Sequence, residues 1–431
     1  MADKFKFQSP SGMHDILPEE QKYFKKIYDT VFDIANFYGF GKIETPVLEE
    51  TELFSRGIGL TTDVVSKEMY ALKTKGGDDL SLRPEWTAPI ARSYIENGMK
   101  FLPQPVKLWY FGPCFRYERP QADRYRQFWQ FGFEILGEKN PVIDAQIIQI
   151  FYNILKELKL KNLIVEINTI GDSNCRPYYK KLLSNYYKSR ESSLCADCKK
   201  RAKMNIFRLL DCKEEKCQPI KTEAPQIIDH LCEECHIHFK EVLEFLDEIE
   251  LPYNLNPYLV RGLDYYTKTV FEIFFESDSE KKEEVIRNAL VGGGRYDKLM
   301  KLLGGRDTPA SGAAAGIERI IKLMKAQQIS LGKESEIQIF LAQLGSLAKR
   351  KSLNLLEDFR KSKIKVEESF GKDSLKTQLN RADKVGAKYT LILGQKEALD
   401  GVVIIKDMNN GNQEIVKIDQ AVAKVKKRLK K

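Results

Sequence analysis

Residues 111–134 read FGPCFRYERPQADRYRQFWQFGFE, and the second half of this stretch alternates: Phe128, Gln130, Gly132 and Glu134 fall on one side, Trp129, Phe131, Phe133 and Ile135 on the other. A period of two is that of a strand, and the wholly apolar side belongs against a core. The opposite side then displays a ring, an amide, a gap and a carboxylate. Upstream, Arg116 and Glu118 are also two apart, and residues 120–123 (PQAD) have turn chemistry. The expectation is an antiparallel hairpin that brings an arginine, two carboxylates, an amide and an aromatic ring to one pocket. Such a set suits a nucleotide held beside a small polar substrate. Histidine is scarce: His14, His230, His236 and His238 are the only four. Charge stabilisation by arginine is therefore expected in the pocket rather than acid–base work by histidine.

Seven of the eight cysteines crowd between Cys175 and Cys235. Cys195-x2-Cys198, Cys212-x4-Cys217 and Cys232-x2-Cys235 form three close pairs, and two pairs suffice for a tetrahedral zinc site. Cys195, Cys198, Cys232 and Cys235 are the expected ligands, with Cys212 and Cys217 as the alternative pair and His236 or His238 as possible substitutes. The competing reading is a set of reduced thiols, some buried as small hydrophobes.

The elements that must position these groups sit in a chain of 431 residues with 42% apolar side chains, enough for two or three domains. No apolar run approaches the ~20 residues of a membrane span. The start, MADKFKFQSP, has no secretory apolar stretch, so a cytoplasmic location with reduced cysteines is expected. A net charge of +9 suits a polyanionic partner without requiring one. Positive charge concentrates over residues 422–431, at the end of an expected helix, where phosphate contact and simple opposition to the helix dipole are both open.

Helical spacing covers residues 19–38, 88–97 and 145–158, and strand patterns cover 41–48, 68–72, 80–82, 107–111, 267–275 and 291–296. Strands joined as hairpins predict an α+β domain over residues 1–330, an antiparallel sheet flanked by helices. Neither GxGxxG nor GxxxxGK[ST] occurs, so side chains on the sheet must hold the nucleotide. Residues 171–251 turn helical, charged and cysteine-rich, as an insertion would. The small residues 311–316 (SGAAAG) lead into a helix over 316–326 and permit close backbone packing. After a polar linker at 327–336, apolar strands at 337–342, 389–393 and 402–405 alternate with helices at 346–361, 374–385 and 419–430. A separate α/β domain over 335–431 is expected.

Together these segments resemble the histidyl-tRNA synthetase family of class II aminoacyl-tRNA synthetases along essentially the whole chain. The first helix with Glu44-Thr45-Pro46 is similar to motif one, Phe115-Arg116-Tyr117-Glu118 with the strand 128–134 to motif two, and Gly316-Ile317-Glu318-Arg319 to motif three. Leu259-Val260-Arg261-Gly262-Leu263-Asp264-Tyr265-Tyr266-Thr267 is similar to a signature of the histidine enzymes that their proline, threonine and glycine relatives lack. Leu82-Arg83-Pro84-Glu85-Trp86-Thr87-Ala88-Pro89 and Gly293-Gly294-Arg295-Tyr296-Asp297 match further segments. Trp86 departs from the pattern, because many bacterial members carry a small residue there.

The resemblance implies a histidine–tRNA ligase that uses ATP with Mg2+ and acts on tRNA(His) as a homodimer built on motif one. It implies that Arg116 and Arg261 flank the α-phosphate and the substrate carboxylate. Glu118 would accept from the adenine amino group, Phe128 would stack on the ring, Arg319 would hold the γ-phosphate, and Arg124 and Arg126 would be further phosphate ligands. Glu85, Thr87 and Gln130, beside Trp86, would receive the substrate ammonium. Glu134 and Tyr266 would reach the imidazole nitrogens while Tyr265 lines the pocket. Read as strand neighbours, the two tyrosines point to opposite faces. The C-terminal domain resembles the anticodon-binding domain of the family. One rival is a catalytically silent histidine-sensing regulatory subunit of ATP phosphoribosyltransferase, which lacks that domain; another is a synthetase for proline, threonine or glycine.

Overall fold

The computed structural model describes residues 7–60, 62–119, 124–276, 289–332, 337–371 and 374–429. The expected turn at 120–123, part of the linker and the last two lysines lie outside them. The chain divides into two compact units, Met1–Leu331 and Gly332–Lys431.

In the first unit the strands are β1 (Gly41–Lys42), β2 (Leu48–Glu50), β3 (Ala71–Lys73), β4 (Asp79–Leu82), β5 (Val106–Phe115), β6 (Gln127–Leu136), β7 (Leu163–Thr169), β8 (Tyr253–Leu255), β9 (Thr267–Phe275), β10 (Val291–Arg295) and β11 (Ala310–Gly316). The helices are α1 (Pro18–Phe37), α2 (Thr51–Ile58), α3 (Thr87–Glu96), α4 (Val142–Glu157), α5 (Arg176–Lys188), α6 (Ala196–Met204), α7 (Gln218–Thr222), α8 (Glu233–Glu248), α9 (Leu299–Leu302) and α10 (Ile317–Ala326). An eight-stranded sheet runs in the order β1-β5-β6-β11-β10-β9-β7-β8. Its neighbours are antiparallel except β1 with β5 and β7 with β8, as the α+β reading requires.

α1 starts at Pro18, where a missing N–H removes nothing the helix would use, and buries Phe24, Ile27, Val31, Ile34 and Ala35 on one stripe. That stripe meets Phe131, Phe133 and Ile135 of β6 together with α4 and α10 in the main core. The opposite side of β6 is thereby committed to the cleft. β5 and β6 pair as the expected hairpin, with Gly112 opposite Gln130 and Cys114 opposite Phe128.

Three local readings are corrected. Residues 311–316, expected only as a lead-in to the helix, are the body of β11, between β6 and β10, and their small side chains leave room above the sheet for β6 groups. A side chain on Gly312 would occupy the space of the Glu134 carboxyl, which is why the position opposite Glu134 is bare. The strand expected over 68–72 is shorter and shifted: Glu68 closes a π-helical turn over Val64–Glu68, and the strand runs only from Ala71 to Lys73. Tyr265 and Tyr266 sit in a turn before β9 rather than on alternating strand positions.

Between β7 and β8 the chain makes the helical segment α5–α8, which has its own core of Tyr179, Leu183, Tyr187, Ile206, Leu209 and buried cysteines. In the second unit, β12 (Ile339–Gln343), β13 (Val366–Glu368), β14 (Tyr389–Leu393), β15 (Val402–Asp407) and β16 (Gln413–Lys417) form one sheet ordered β13-β12-β14-β15-β16. Its helices are α11 (Ser346–Lys361), α12 (Leu375–Lys384), α13 (Gln395–Asp400) and α14 (Ile418–Leu429). In α14, Lys424 and Arg428 both pair with Glu414 of β16, so part of the terminal positive charge is matched within the unit. Among the described residues, no helix is long and apolar enough to cross a membrane.

Candidate active site

A cleft opens on the polar side of β6 and is bordered by Glu85, Arg116, Phe128, Gln130, Arg261 and Arg319, with Trp86, Thr87, Glu118, Arg124, Tyr265 and Tyr266 around them. These side chains come from five separate stretches of the sequence, 85–87, 116–118, 124–130, 261–266 and 319, which the fold brings together.

Its floor is made of buried carboxyls held by short contacts. Glu85 precedes α3, and its two oxygens accept the backbone N–H groups of Thr87 and Ala88, each at 2.7 Å. It thus satisfies donors that a helix start leaves open. Burial pushes the Glu85 carboxyl above its ordinary range, and those two N–H donors pull against the shift. Glu134 lies one layer deeper, fully buried, accepting the Thr87 hydroxyl at 2.8 Å and the Tyr296 hydroxyl at 2.5 Å. Burial pushes its carboxyl up to about 8, with Glu85 adding to the rise and the two hydroxyl donors opposing it. Trp86 is buried, its ring stacked on Tyr110 at 4.7 Å with the Arg83 guanidinium 3.4 Å from its centroid. The indole is a wall of the cleft as well as core, built where Gly112 leaves the ring unobstructed.

The cationic side is equally specific. Arg116 is oriented by donation of its Nε–H to the Pro84 carbonyl at 2.9 Å; its guanidinium lies 5.4 Å from the Phe128 ring centroid and 4.0 Å from Glu118. Arg261 pairs with Glu272 of β9 and passes over Gly292, where a side chain would strike its guanidinium. The Nε of Arg261 is buried and donates to no acceptor among the described residues. Arg124 donates to Glu118 at 3.1 Å, and Arg319 to the Ala289 carbonyl at 2.8 Å. Both border the cleft.

Arg126, expected beside the phosphates, is not among the cleft residues. Its guanidinium donates to the carbonyls of Glu118 and Ser11, each at 3.2 Å, and covers the Tyr117 ring at 3.9 Å. The hairpin end bends here, so the alternation that holds from Phe128 onward does not extend back to it. Tyr265 and Tyr266 do not diverge: they sit in one turn, both border the cleft, and their ring centroids are 4.6 Å apart.

Sequence reasoning gave no role to Glu272, Tyr296 or Glu318. Glu272 holds Arg261, and its place on the less buried side of β9 was the available signal. Tyr296 was visible only as part of a matching segment. Glu318 accepts the Trp129 N–H with both oxygens, at 2.8 and 3.1 Å, fastening the start of α10 to the head of β6. Burial pushes its carboxyl up to about 7, against the donated N–H groups.

The cysteines group differently from the expected set. Cys195 and Cys198 converge with Cys212 and Cys217, whereas Cys232 and Cys235 converge with Cys175 and Asp172. Spacing along the chain could not choose among pairs, because the fold of the insertion brings residues 175 and 232 side by side. His238 is buried against Asp144, 3.4 Å away, and His236 is exposed; neither belongs to either group.

The family model described as histidyl-tRNA synthetase matches residues 12–320, and that of the anticodon binding domain matches residues 338–428. A histidine–tRNA ligase of Dehalococcoides mccartyi is 43% identical over 98% of this chain and 100% of its own length. Another, of Desulforamulus reducens, is 42% identical over 97% of this chain and 99% of its own. The crystal structure of apo S. aureus histidyl-tRNA synthetase superposes with a TM-score of 0.79 at 35% identity, covering 97% of this chain and all of that one.

Proposed function

The chain belongs to the histidyl-tRNA synthetase family, and from that premise we propose how its cleft performs the ligase reaction: L-histidine and ATP give histidyl-adenylate and pyrophosphate, and the histidyl group then passes to the 3′ end of tRNA(His). The observation that carries the reading is that Arg116 and Arg261 border the same cleft as the Glu85, Thr87 and Gln130 side chains. Adenylate formation forces a carboxylate onto the α-phosphorus while negative charge builds on the phosphoryl oxygens, so cations must stand where that charge develops. Two planar guanidinium groups meet the need because each presents paired donors and stays charged. The buried, unengaged Nε of Arg261 is a donor in waiting for such an oxygen.

Around them, Phe128 stacks on adenine, Glu118 accepts from its amino group, and Arg124 and Arg319 take the outer phosphates. Glu85, Thr87 and Gln130 receive the ammonium, walled by Trp86. Glu134 and Tyr266 address the imidazole, with Tyr265 alongside and Tyr296 and Thr87 fixing the Glu134 carboxyl. A buried site of matched donors and acceptors rejects analogues lacking them by roughly four to five orders of magnitude, so no editing step is required.

Mg2+ would neutralise triphosphate charge. Glu85, Glu118, Glu272 and Glu318 each already hold a protein donor or cation, so the ion would be carried mainly by phosphate oxygens. A zinc ion in the cysteine-rich segment is part of the same proposal, on regrouped ligands. Residues 1–330 form the catalytic domain, 171–251 its insertion and 335–431 the anticodon-binding domain. The cytoplasm suits a chain whose eight cysteines form no disulfide. A homodimer through the segment after α1 is supported by Val47 and Leu48, large apolar side chains left exposed there.

The regulatory-subunit reading is not favoured, because an anticodon-binding domain is present and the curated relatives matched over the full chain are ligases. Histidine-dependent exchange between pyrophosphate and ATP, followed by charging of tRNA(His) with labelled histidine, tests the proposal. Histidine binding without exchange would overturn it.

A further inference from the structure

The seven cysteines between Cys175 and Cys235 have no part in the ligase chemistry, yet the fold gathers all of them into two four-donor clusters. Within each cluster the donor atoms lie within 4.8 Å of one another. A zinc ion bonded to four sulfurs at about 2.3 Å sets neighbouring sulfurs about 3.8 Å apart along each tetrahedral edge. Cys195 Sγ and Cys212 Sγ are 3.9 Å apart, close to that edge and far beyond a disulfide bond of about 2.05 Å.

Backbone geometry points the same way. Cys198 donates its N–H to Cys195 Sγ and Cys195 its N–H to Cys217 Sγ, both at 3.3 Å. In the second cluster Cys232 donates to Cys175 Sγ at 3.1 Å. N–H donation to sulfur favours the thiolate, the form that ligates metal. Four thiols packed merely as small hydrophobes would have no use for it. Asp172 spends Oδ1 on the N–H groups of Asn174 and Cys175, at 2.8 and 3.3 Å, which fixes the carboxylate beside the three sulfurs.

The two clusters sit at different places in the fold. Cys195, Cys198, Cys212 and Cys217 belong to the small core of the insertion. Asp172 and Cys175 stand where the chain leaves β7 for α5, and Cys232 and Cys235 where it enters α8 on its return. This second cluster therefore spans the neck of the insertion. Arg176, next to Cys175, reaches the carbonyls of Ile170 and Tyr266, so the neck abuts the turn that carries Tyr265 and Tyr266.

We propose that the insertion holds two tetrahedral zinc ions, one on Cys195, Cys198, Cys212 and Cys217 that builds its core, and one on Asp172, Cys175, Cys232 and Cys235 that staples its neck. The proposal refines the zinc part of the functional reading and is independent of whether the chain charges tRNA. Each coordinated cysteine gives up its thiol proton to solvent as the Zn–S bond forms.

The test is elemental analysis of the purified full chain after exhaustive dialysis against metal-free buffer. About two zinc ions per chain are expected, falling to about one in Cys195→Ser/Cys217→Ser and to about one in Cys175→Ser/Cys235→Ser. X-ray absorption at the zinc edge of the unaltered chain stands on its own if a variant does not fold. It should average about 3.5 sulfur and 0.5 oxygen or nitrogen neighbours per ion, the mean of a four-sulfur and a three-sulfur site. One zinc or fewer per unaltered chain, or a folded double variant that keeps both ions, overturns the proposal.

Discussion

Replacing Glu134 by glutamine tests the buried floor of the cleft, because the charge of that carboxyl is what burial penalises. Its proton is held up to about 8 in the folded chain against an ordinary 4.5. A carboxyl raised on folding contributes most to stability below pH 4.5. That contribution is lost progressively as pH rises to about 8, since the unfolded chain gives up the proton first. Each pH unit in this window is worth at most about 1.4 kcal/mol, so the full loss is at most on the order of 5 kcal/mol, an upper figure given that Glu85 titrates nearby. Glutamine cannot ionise and keeps an oxygen for the Tyr296 or Thr87 hydroxyl. The assay is thermal unfolding of both proteins from pH 5 to pH 8.5, in which the shared titrations cancel. The Tm of Glu134→Gln minus that of the unaltered protein should rise with pH by several degrees, as a few kcal/mol implies for a unit of this size. A difference that stays flat from pH 5 to pH 8.5 would refute the argument that Glu134 is held protonated by its surroundings.

Arg124→Ala should raise the KM for ATP by roughly tenfold or more, the size of one charge-assisted hydrogen bond of about 1.5–3 kcal/mol. Arg126→Ala, whose guanidinium serves the Tyr117 ring and two carbonyls, should leave that KM within about twofold, judged by pyrophosphate exchange at varied ATP. Glu272→Gln removes the partner that orients Arg261, and exchange should slow roughly tenfold in kcat with less change in the KM for histidine. Trp86→Ala deletes a buried indole packed between Tyr110 and Arg83. It should destabilise the first unit by about 3–5 kcal/mol, read as a lowered first transition in calorimetry.

The β5–β6 hairpin was legible because the alternation of β6 is strict and one side is wholly apolar, and β9 and β14 were legible because runs of apolar side chains marked their bounds. β11 was missed because Ser311 to Gly316 are too small to show a period, although the strand exists to leave room for Glu134. β16 alternates only exposed with half-buried positions, with apolar Ile415 on the exposed side and Glu414 on the other, and gave too little contrast. Alternation placed Phe128 and Gln130 at the cleft and Glu134 fully buried one layer deeper, while Arg126, which only the family resemblance had put beside the phosphates, lies beyond the regular part of the strand, and the two tyrosines are brought together by a turn. Glu272 and Glu318 are invisible to spacing arguments because their partners, Arg261 and the Trp129 backbone, lie 11 and 189 residues away. The cysteine pairs were each evident, while their grouping depends on how the insertion folds back on itself.

The central claim is that Arg116 and Arg261 stabilise charge that develops only as the histidine carboxylate meets the α-phosphorus. Histidine-dependent pyrophosphate exchange by Arg261→Ala, set beside equilibrium dialysis of histidine, tests it most directly. The account predicts exchange lowered by roughly two to three orders of magnitude with histidine affinity changed by no more than about threefold. Affinity and exchange falling together, or exchange left intact, would contradict it.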